Sequence, residues 1–76
     1  MKKTLNYELK TEESRRTFIQ NEESSLYSTV DEDGNRVAVT LQKGIGMEIS
    51  TFQSNGWTRV AEYDANGYFV GETYEK

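Results

Sequence analysis

The sequence predicts an α+β fold: an antiparallel β-meander of about five strands plus an N-terminal strand, with one short helix packed on one face. Apolar and polar residues alternate along most of residues 26–75, which is the pattern of strands with one buried face. Turn dipeptides interrupt this stretch, and such dipeptides between alternating segments indicate β-hairpins. These dipeptides are Asp33-Gly34, Asn55-Gly56 and Asn66-Gly67.

The N-terminal segment predicts a strand over residues 3–9. Leu5, Tyr7 and Leu9 fall on one side of an alternating pattern, as expected when one face of a strand is buried. The strand is expected to end at Leu9 or Lys10, because the next residues carry the signals of a helix start.

The single short helix is predicted over residues 12–22. Thr11 is a residue type that caps helices, and the two glutamates that follow it lie where the helix dipole favours negative charge. Phe18 and Ile19 are the apolar residues that would face the sheet. Residues 17–20 also fit a short strand, and the sequence leaves this alternative open.

The meander that follows shows its clearest inward-facing set at Val37, Val39 and Leu41. In the next strand either Thr51 or Phe52 continues the inward face, and the two could share that face only with a β-bulge. The five strands are expected at residues 26–31, 37–41, 47–52, 57–64 and 68–75.

A weak internal repeat has a spacing of 33 residues. Residues 30–37 match residues 63–70 at an aspartate, a glycine and a valine. Repeat architectures need at least about three copies, so two similar hairpins within one sheet are the simpler explanation.

Length and composition limit the classes of function. The 76 residues predict one small α+β domain over residues 1–76 with a thin core. The chain contains no cysteine, no histidine and no proline. This composition excludes thiolate and histidine metal sites and the Ser-His and Cys-His catalytic mechanisms. No cofactor is expected.

Charge and hydropathy predict the class of partner and the cellular location of the protein. The net charge is −4, and the excess lies in residues 25–76, which hold eight acidic and four basic residues. An acidic sheet repels phosphate backbones, so general nucleic-acid binding is disfavoured. The N-terminal residues lack the apolar run of a secretory signal, and no stretch approaches the roughly 20 apolar residues of a membrane span. A cytoplasmic protein that does not enter membranes is therefore expected.

Three sequence patterns are similar to known chemical sites, but each has a simpler structural interpretation. Residues 31–35 contain oxygen ligands of a calcium loop, although the apolar strand that follows removes the later ligands. The Gly-x-Gly at residues 44–46 lacks the third glycine of a phosphate-binding loop. Glu62 and Asp64 share a face, but a sheet this small offers no cleft for glycosidase chemistry. No catalytic residue or metal ligand is assigned, and the chain is not expected to be an enzyme.

An aromatic stripe on the last two strands is the main candidate binding surface. Alternation places Trp57, Arg59 and Tyr63 on one face of their strand, and Tyr68 and Tyr74 on one face of the next. A short Asn-Gly turn is expected to bring Tyr63 and Tyr68 together across the hairpin. The stripe is core if it faces the helix and a binding surface if it faces away, and the sequence leaves both open.

These features favour a non-enzymatic interaction module that binds a protein partner through the face or edge of its sheet. A specific version is an acidic inhibitor of a nucleic-acid-handling enzyme, encoded by a mobile element, whose carboxylates replace phosphates. The alternatives are a single-stranded nucleic-acid-binding protein that stacks bases on the stripe and a structural homo-oligomer. The predicted partner-binding residues are Trp57, Arg59, Tyr63, Tyr68, Tyr74, Asp31, Glu32 and Asp33.

Overall fold

The structure is a computed structural model that describes residues 3–4 and 9–76. Its elements in chain order are β1 (Lys3–Thr4), α1 (Glu12–Asn21), β2 (Ser25–Val30), β3 (Arg36–Gln42), β4 (Gly46–Phe52), β5 (Thr58–Asp64) and β6 (Phe69–Glu75). The strands form one sheet in sequence order. β1 and β2 pair in parallel, and all other neighbouring strands pair antiparallel. The predicted α+β meander with one short helix is confirmed.

Helix α1 begins with a capping box. The Thr11 hydroxyl accepts a hydrogen bond from the Ser14 N–H (3.1 Å), and the Ser14 hydroxyl accepts one from the Thr11 N–H (3.2 Å). The helix ends where Glu22 becomes extended and its N–H donates to the Phe18 carbonyl. The predicted helix is confirmed, and the alternative strand over residues 17–20 is wrong.

The prediction of an N-terminal strand is tested at few of its residues. Residues 3–4 pair in parallel with residues 27–28 of β2. The predicted strand positions Leu5 and Tyr7 lie outside the described residues. Leu9 precedes the helix without regular secondary structure and is half-buried against the core.

Three of the hairpin turns share one hydrogen-bond pattern. In the first, the Asp31 N–H donates to the Asn35 carbonyl (2.9 Å) and the Gly34 N–H donates to the Asp31 carbonyl (3.1 Å). The same two bonds recur in the turns that begin at Gln53 and Asp64. The fourth residue of each turn is a glycine with φ between +84° and +91°, a conformation that other residues rarely adopt. The repeat at a spacing of 33 residues is therefore a pair of similar hairpins.

The hydrophobic core lies between α1 and one face of the sheet, which we call the helix face. Val39 is fully buried, and Val37 and Leu41 are buried on the same side of β3, so this predicted inward-facing set is confirmed. The Phe18 ring contacts the Tyr27 ring edge-on, with centroids 5.1 Å apart. Within residues 9–76, the other buried apolar side chains are those of Ile19, Met47 and Ala61.

The register shift of the meander lies in β5, and β4 needs no bulge because only one of its two alternative residues faces inward. β3 and β4 pair without a shift, because Thr51 is half-buried on the helix face and Phe52 is exposed on the other face. The shift occurs instead between Glu62 and Tyr63, where β5 pairs with β6. It makes Phe69 the cross-strand partner of Tyr63.

The helix covers only one half of the helix face. Near the start of α1, Arg15 Nε donates to the Gly67 carbonyl in the β5–β6 turn (2.8 Å). Near its end, the Gln20 carbonyl accepts a hydrogen bond from Lys43 Nζ in the β3–β4 turn (3.2 Å). We call this the lower half of the sheet, and the half beside the β2–β3 and β4–β5 turns the upper half. The helix therefore runs across the strands and does not extend over the upper half.

The opposite face of the sheet, which we call the open face, carries mainly small or polar side chains. A row of half-buried residues crosses its centre from β2 to β5. The row consists of Ser28, Ala38, Ser50 and Val60. Phe52 lies on the same face in the upper half, with the Arg36 guanidinium 5.4 Å from the centre of its ring.

Candidate functional site

A concavity of about 540 Å³ lies on the upper half of the helix face, and we call it the upper groove. Val37 and Ile49 belong to its apolar lining. The β2–β3 turn, with residues 31–33, borders it on one side, and Arg59 and Tyr63 of β5 border it on the other. Five of the eight predicted partner-binding residues therefore line one groove.

Arg59 is held at the side of the upper groove by an ion pair. Its Nε donates to Glu72 Oε2 at 2.5 Å across the β5–β6 hairpin. Partial burial acts to lower the pKa of Arg59, but the hydrogen bond and the charge of Glu72 raise that pKa above its ordinary value. Arg59 therefore remains a cation with a defined orientation.

Arg15 joins the helix to the lower end of the β5–β6 hairpin. Its side chain is 8% exposed, and Nη1 donates to the Leu9 carbonyl at 3.2 Å, in addition to the bond from Nε to Gly67. The guanidinium also lies 4.3 Å from the centre of the Tyr63 ring, which is a cation–π contact. A buried charge requires such partners. Arg15 therefore docks the helix and covers one side of Tyr63.

The helix divides the aromatic stripe into two groups. In the upper half, Tyr74 (49% exposed) pairs with Arg59 across the hairpin, and Trp57 (40% exposed) precedes Arg59 by two residues. In the lower half, Tyr63 is half-buried against the core and Tyr68 is exposed. The β5 residues of the stripe face the helix side, but the helix reaches only the lower part. Neither sequence alternative, all core or all exposed, is therefore correct.

The cross-strand partner of Tyr63 is Phe69, not Tyr68 as the sequence predicted. The Tyr63 and Phe69 rings meet edge-on with centroids 5.8 Å apart. Tyr68 lies beside the helix, with the Arg16 guanidinium 5.5 Å from its ring centre. The prediction assumed a tight Asn-Gly turn, whereas the hydrogen bond from the Asp64 N–H to the Tyr68 carbonyl closes a longer one.

The acidic β2–β3 turn uses two of its three carboxylates within the chain. Asp31 Oδ1 accepts hydrogen bonds from the N–H groups of Asp33 and Asn35 (both 2.9 Å), and Oδ2 accepts one from the Asn35 side-chain amide (3.2 Å). These bonds, above all the one from the Asn35 N–H, hold the pKa of Asp31 below its ordinary value. Glu32 forms an ion pair with Lys10. Asp33 is the one of the three whose carboxylate has no such bond to the described residues.

The Asp31 carboxylate is expected to stabilise the fold at neutral pH but not in strong acid. Its folded-state pKa lies below the ordinary value of 3.8, so its contribution is present above that value and is lost as the pH falls through the folded-state pKa. Asp31→Asn should therefore lower the free energy of unfolding at pH 7 and flatten its decline as the pH falls below the ordinary pKa of 3.8. Urea unfolding at several pH values measures this, with Asp33→Asn as the control. Equal acid dependence in wild type and Asp31→Asn would contradict the assignment.

The strand register brings together two carboxylates that alternation along a single strand does not pair. Glu48 of β4 and Glu62 of β5 are direct neighbours on the open face. Together with Asp64 they line a second concavity of about 320 Å³ in the lower half of the sheet. Neither glutamate forms an ion pair with the described residues. Alternation showed that Glu62 and Asp64 share a face, but the neighbour on the adjacent strand depends on turn lengths that alternation does not reveal.

A comparison of this chain with protein-family models, curated proteins and solved structures gives no significant match. None of the helical residues that the structure describes forms a span long and apolar enough to cross a membrane. Across the whole part of the chain that the structure describes, no group of three or more acidic side chains is arranged to hold a metal ion. The surface of the molecule is therefore the guide to its function.

Proposed function

We propose that the chain is a non-enzymatic module that binds a protein partner through its β5–β6 hairpin. The observation that carries this proposal is the concentration of exposed aromatic and apolar side chains on that hairpin. Large exposed apolar patches in proteins often mark interaction surfaces. The residues concerned are Tyr68, Phe69, Val70 and Tyr74, together with Trp57, which immediately precedes β5.

Trp57 and Tyr74 are expected to contribute most to the contact. Both are more than one third exposed, so each has apolar area to bury against a partner. Tryptophan and tyrosine dominate binding hot spots, because their large rings have few rotatable bonds and keep a polar group. Arg59 lies between them and is already oriented by Glu72, so its ordering on binding costs little entropy.

A specific version of this proposal is an acidic, cytoplasmic inhibitor of a nucleic-acid-handling enzyme, of the kind that a mobile element encodes. The net charge of −4 supports it, because surface carboxylates attract the basic sites that bind phosphates. Among the turn residues, Asp33 fits this role best, since Asp31 and Glu32 have partners within the chain.

The two alternatives have less support. Binding of single strands requires aromatic rings within a basic groove, whereas Arg59 is paired with Glu72 and strands β5 and β6 carry four acidic side chains. A homo-oligomer joined through this hairpin would bring the same acidic side chains of two copies together. A protein with a basic surface is the better partner.

Site-specific photo-crosslinking tests the proposal. A benzophenone amino acid replaces Trp57 in the full chain, and cross-linking is carried out in nuclease-treated lysate of the source cells. We expect a discrete adduct with a protein at this position. The matched control places the same amino acid at Phe52, which is equally exposed (41% against 40%) but lies on the open face. Little adduct is expected from the control.

Equal adduct yields at positions 52 and 57, or no adduct at either, would refute the proposal. An adduct that forms only without nuclease treatment would favour the nucleic-acid alternative, and an adduct of the chain with itself would favour the homo-oligomer. With the partner identified, Trp57→Ala should weaken binding by about 2 kcal/mol or more. Phe52→Ala should change it by less than about 0.5 kcal/mol.

A further inference from the structure

Strand β6 forms one edge of the sheet along its whole length. Its seven residues pair with β5 on one side, and no described strand lies on the other side. Such an edge presents a row of backbone N–H and C=O groups that a further strand can pair with. The opposite edge, β1, offers only two described residues.

The outward-facing backbone groups of β6 belong to Glu72 and Tyr74. Residues along an antiparallel pair alternate between bonding to the partner strand and pointing away from it. The Asp64 N–H donates to the Tyr68 carbonyl, just before β6, so the even-numbered residues of β5 bond toward β6. Thr73 and Glu75 pair with even-numbered β5 residues and are bonded inward. Glu72 and Tyr74, which alternate with them, therefore direct their N–H and C=O groups away from the sheet.

This edge lacks most features that prevent strand addition. Natural edges are protected by proline, by charged side chains (above all lysine), by bulges or by shortness. β6 has seven residues with neither proline nor lysine, and its two charged residues are Glu72, which is paired with Arg59, and Glu75. Its register shift lies at the start of the strand, beside Tyr63, and leaves residues 71–75 in regular pairing. Three of its large side chains are also exposed: Phe69, Val70 and Tyr74.

The charge beside this edge indicates the chemistry of the added strand. Glu62 lies next to Gly71 of β6, and Glu48 lies on the other side of Glu62. A Cβ at Gly71 would meet no atom within 4 Å, so the space above Gly71 is open. A long basic side chain on a strand added to β6 would cross that space and reach Glu62, two strand spacings or roughly 10 Å away.

We propose that the outer edge of β6 binds an extended segment of a protein partner, as a further strand with lysine or arginine opposite Gly71. This inference rests on the proposed function and names the binding mode at the same hairpin. A second copy of this chain fits less well, because each copy carries a net charge of −4 and its β6 has no lysine or arginine to place opposite Gly71. A basic segment complements the charges of Glu48 and Glu62, and backbone pairing supplies its orientation.

A blocked seven-residue peptide of alternating lysine and valine is the probe. We follow its titration into the full chain by amide chemical shifts and by hydrogen exchange. The Glu72 and Tyr74 N–H groups should shift most and become at least threefold better protected. A glutamate–valine peptide and an N-methylated lysine–valine peptide should both fail to protect them. No protection by the unmethylated lysine–valine peptide at millimolar concentration would overturn the proposal, as would equal protection by the N-methylated one.

Variants of the chain separate edge pairing from side-chain contact. Tyr74→Pro and Tyr74→Ala both remove the ring, but only the proline variant removes the outward N–H. An edge strand tolerates proline at such a position. Tyr74→Pro should bind the peptide at least tenfold more weakly than Tyr74→Ala. If the two folded variants bound the peptide equally, the proposal that a strand pairs with the outer edge of β6 would be overturned.

The electrostatic part of the proposal has its own control. Glu62→Gln and Glu12→Gln change the net charge equally, but only Glu62 lies beside Gly71, whereas Glu12 is exposed on the helix. Glu62→Gln should weaken peptide binding at least fivefold, and Glu12→Gln by less than twofold. Equal effects would mean that the peptide responds only to net charge, and the basic-strand assignment would be wrong.

The outcomes also distinguish this inference from the proposed function. If a partner is cross-linked at position 57 but binds Tyr74→Pro and Tyr74→Ala equally, the hairpin binds a protein by side chains and the edge proposal fails. If the peptide protects Glu72 and Tyr74 but no partner is cross-linked, the edge proposal holds and the broader function fails. If the Glu72 and Tyr74 N–H groups became better protected as the protein concentration rose in the absence of peptide, a second copy of the chain would be the occupant. That result would overturn the proposal of a basic partner.

Discussion

Replacement of Val39 by aspartate is expected to unfold the protein at neutral pH. Val39 is fully buried, and its cross-strand neighbours Tyr27 and Ile49 belong to or pack against the same core. An unpaired carboxylate in such a place costs about 3–5 kcal/mol or more. A chain of 76 residues has a total free energy of unfolding of roughly 4–11 kcal/mol. Circular dichroism in a urea titration should show a lost or greatly weakened cooperative transition.

The neighbouring residue supplies the control. Ala38 lies on the same strand but on the open face, where it is half-buried between Ser28 and Ser50. Ala38→Asp introduces the same charge one residue away and should cost about 1 kcal/mol or less, because the carboxylate remains in contact with water. If Val39→Asp unfolds like the wild type, or if both variants unfold equally, the assignment of faces in β3 is wrong.

A methyl group at Gly46 is expected to have the second largest effect. The added Cβ would lie 2.5 Å from the backbone oxygen of Tyr63 on the adjacent strand. That oxygen belongs to the β4–β5 pair and cannot rotate away as a side chain does, so the two strands must separate locally. We expect Gly46→Ala to lower the free energy of unfolding by about 3 kcal/mol, as measured by urea unfolding.

Gly71 is the matched control for this prediction. It also lies in a strand, its added Cβ would meet no atom within 4 Å, and alanine restricts the unfolded chain more than glycine does. Gly71→Ala should therefore leave stability unchanged or raise it by up to about 1 kcal/mol. Comparable losses in the two variants would show that strand glycines matter here through backbone entropy and not through the close approach to Tyr63.

The candidate site was only partly predictable from the sequence. The alternation along β5 correctly put Arg59 and Tyr63 on one face, and the upper groove contains both. The pairing of Tyr63 with Phe69 was missed, because it depends on a register shift that no residue pattern announces. The ion pair of Arg59 with Glu72 was missed for the same reason, since it joins two strands across that hairpin.

Local residue patterns are sufficient to set the helix and the strands of the meander. Thr11 and Ser14 cap the helix through bonds that span three residues. Glycines with positive φ close the three similar turns, and alternation in β3 selects the buried side. Each of these effects acts between residues close together in the chain, so a local pattern is sufficient to reveal it.

Which part of the sheet is covered and which is exposed depends on contacts between residues far apart in the chain. The position of the helix depends on Arg15 and Gly67, which are 52 residues apart in the chain. That contact places α1 over the lower half and leaves Trp57 and Tyr74 exposed in the upper half. The same alternating stripe therefore contributes to the core at Tyr63 and to the surface at Tyr74, because its burial is set by where the helix lies and not by the spacing of its residues.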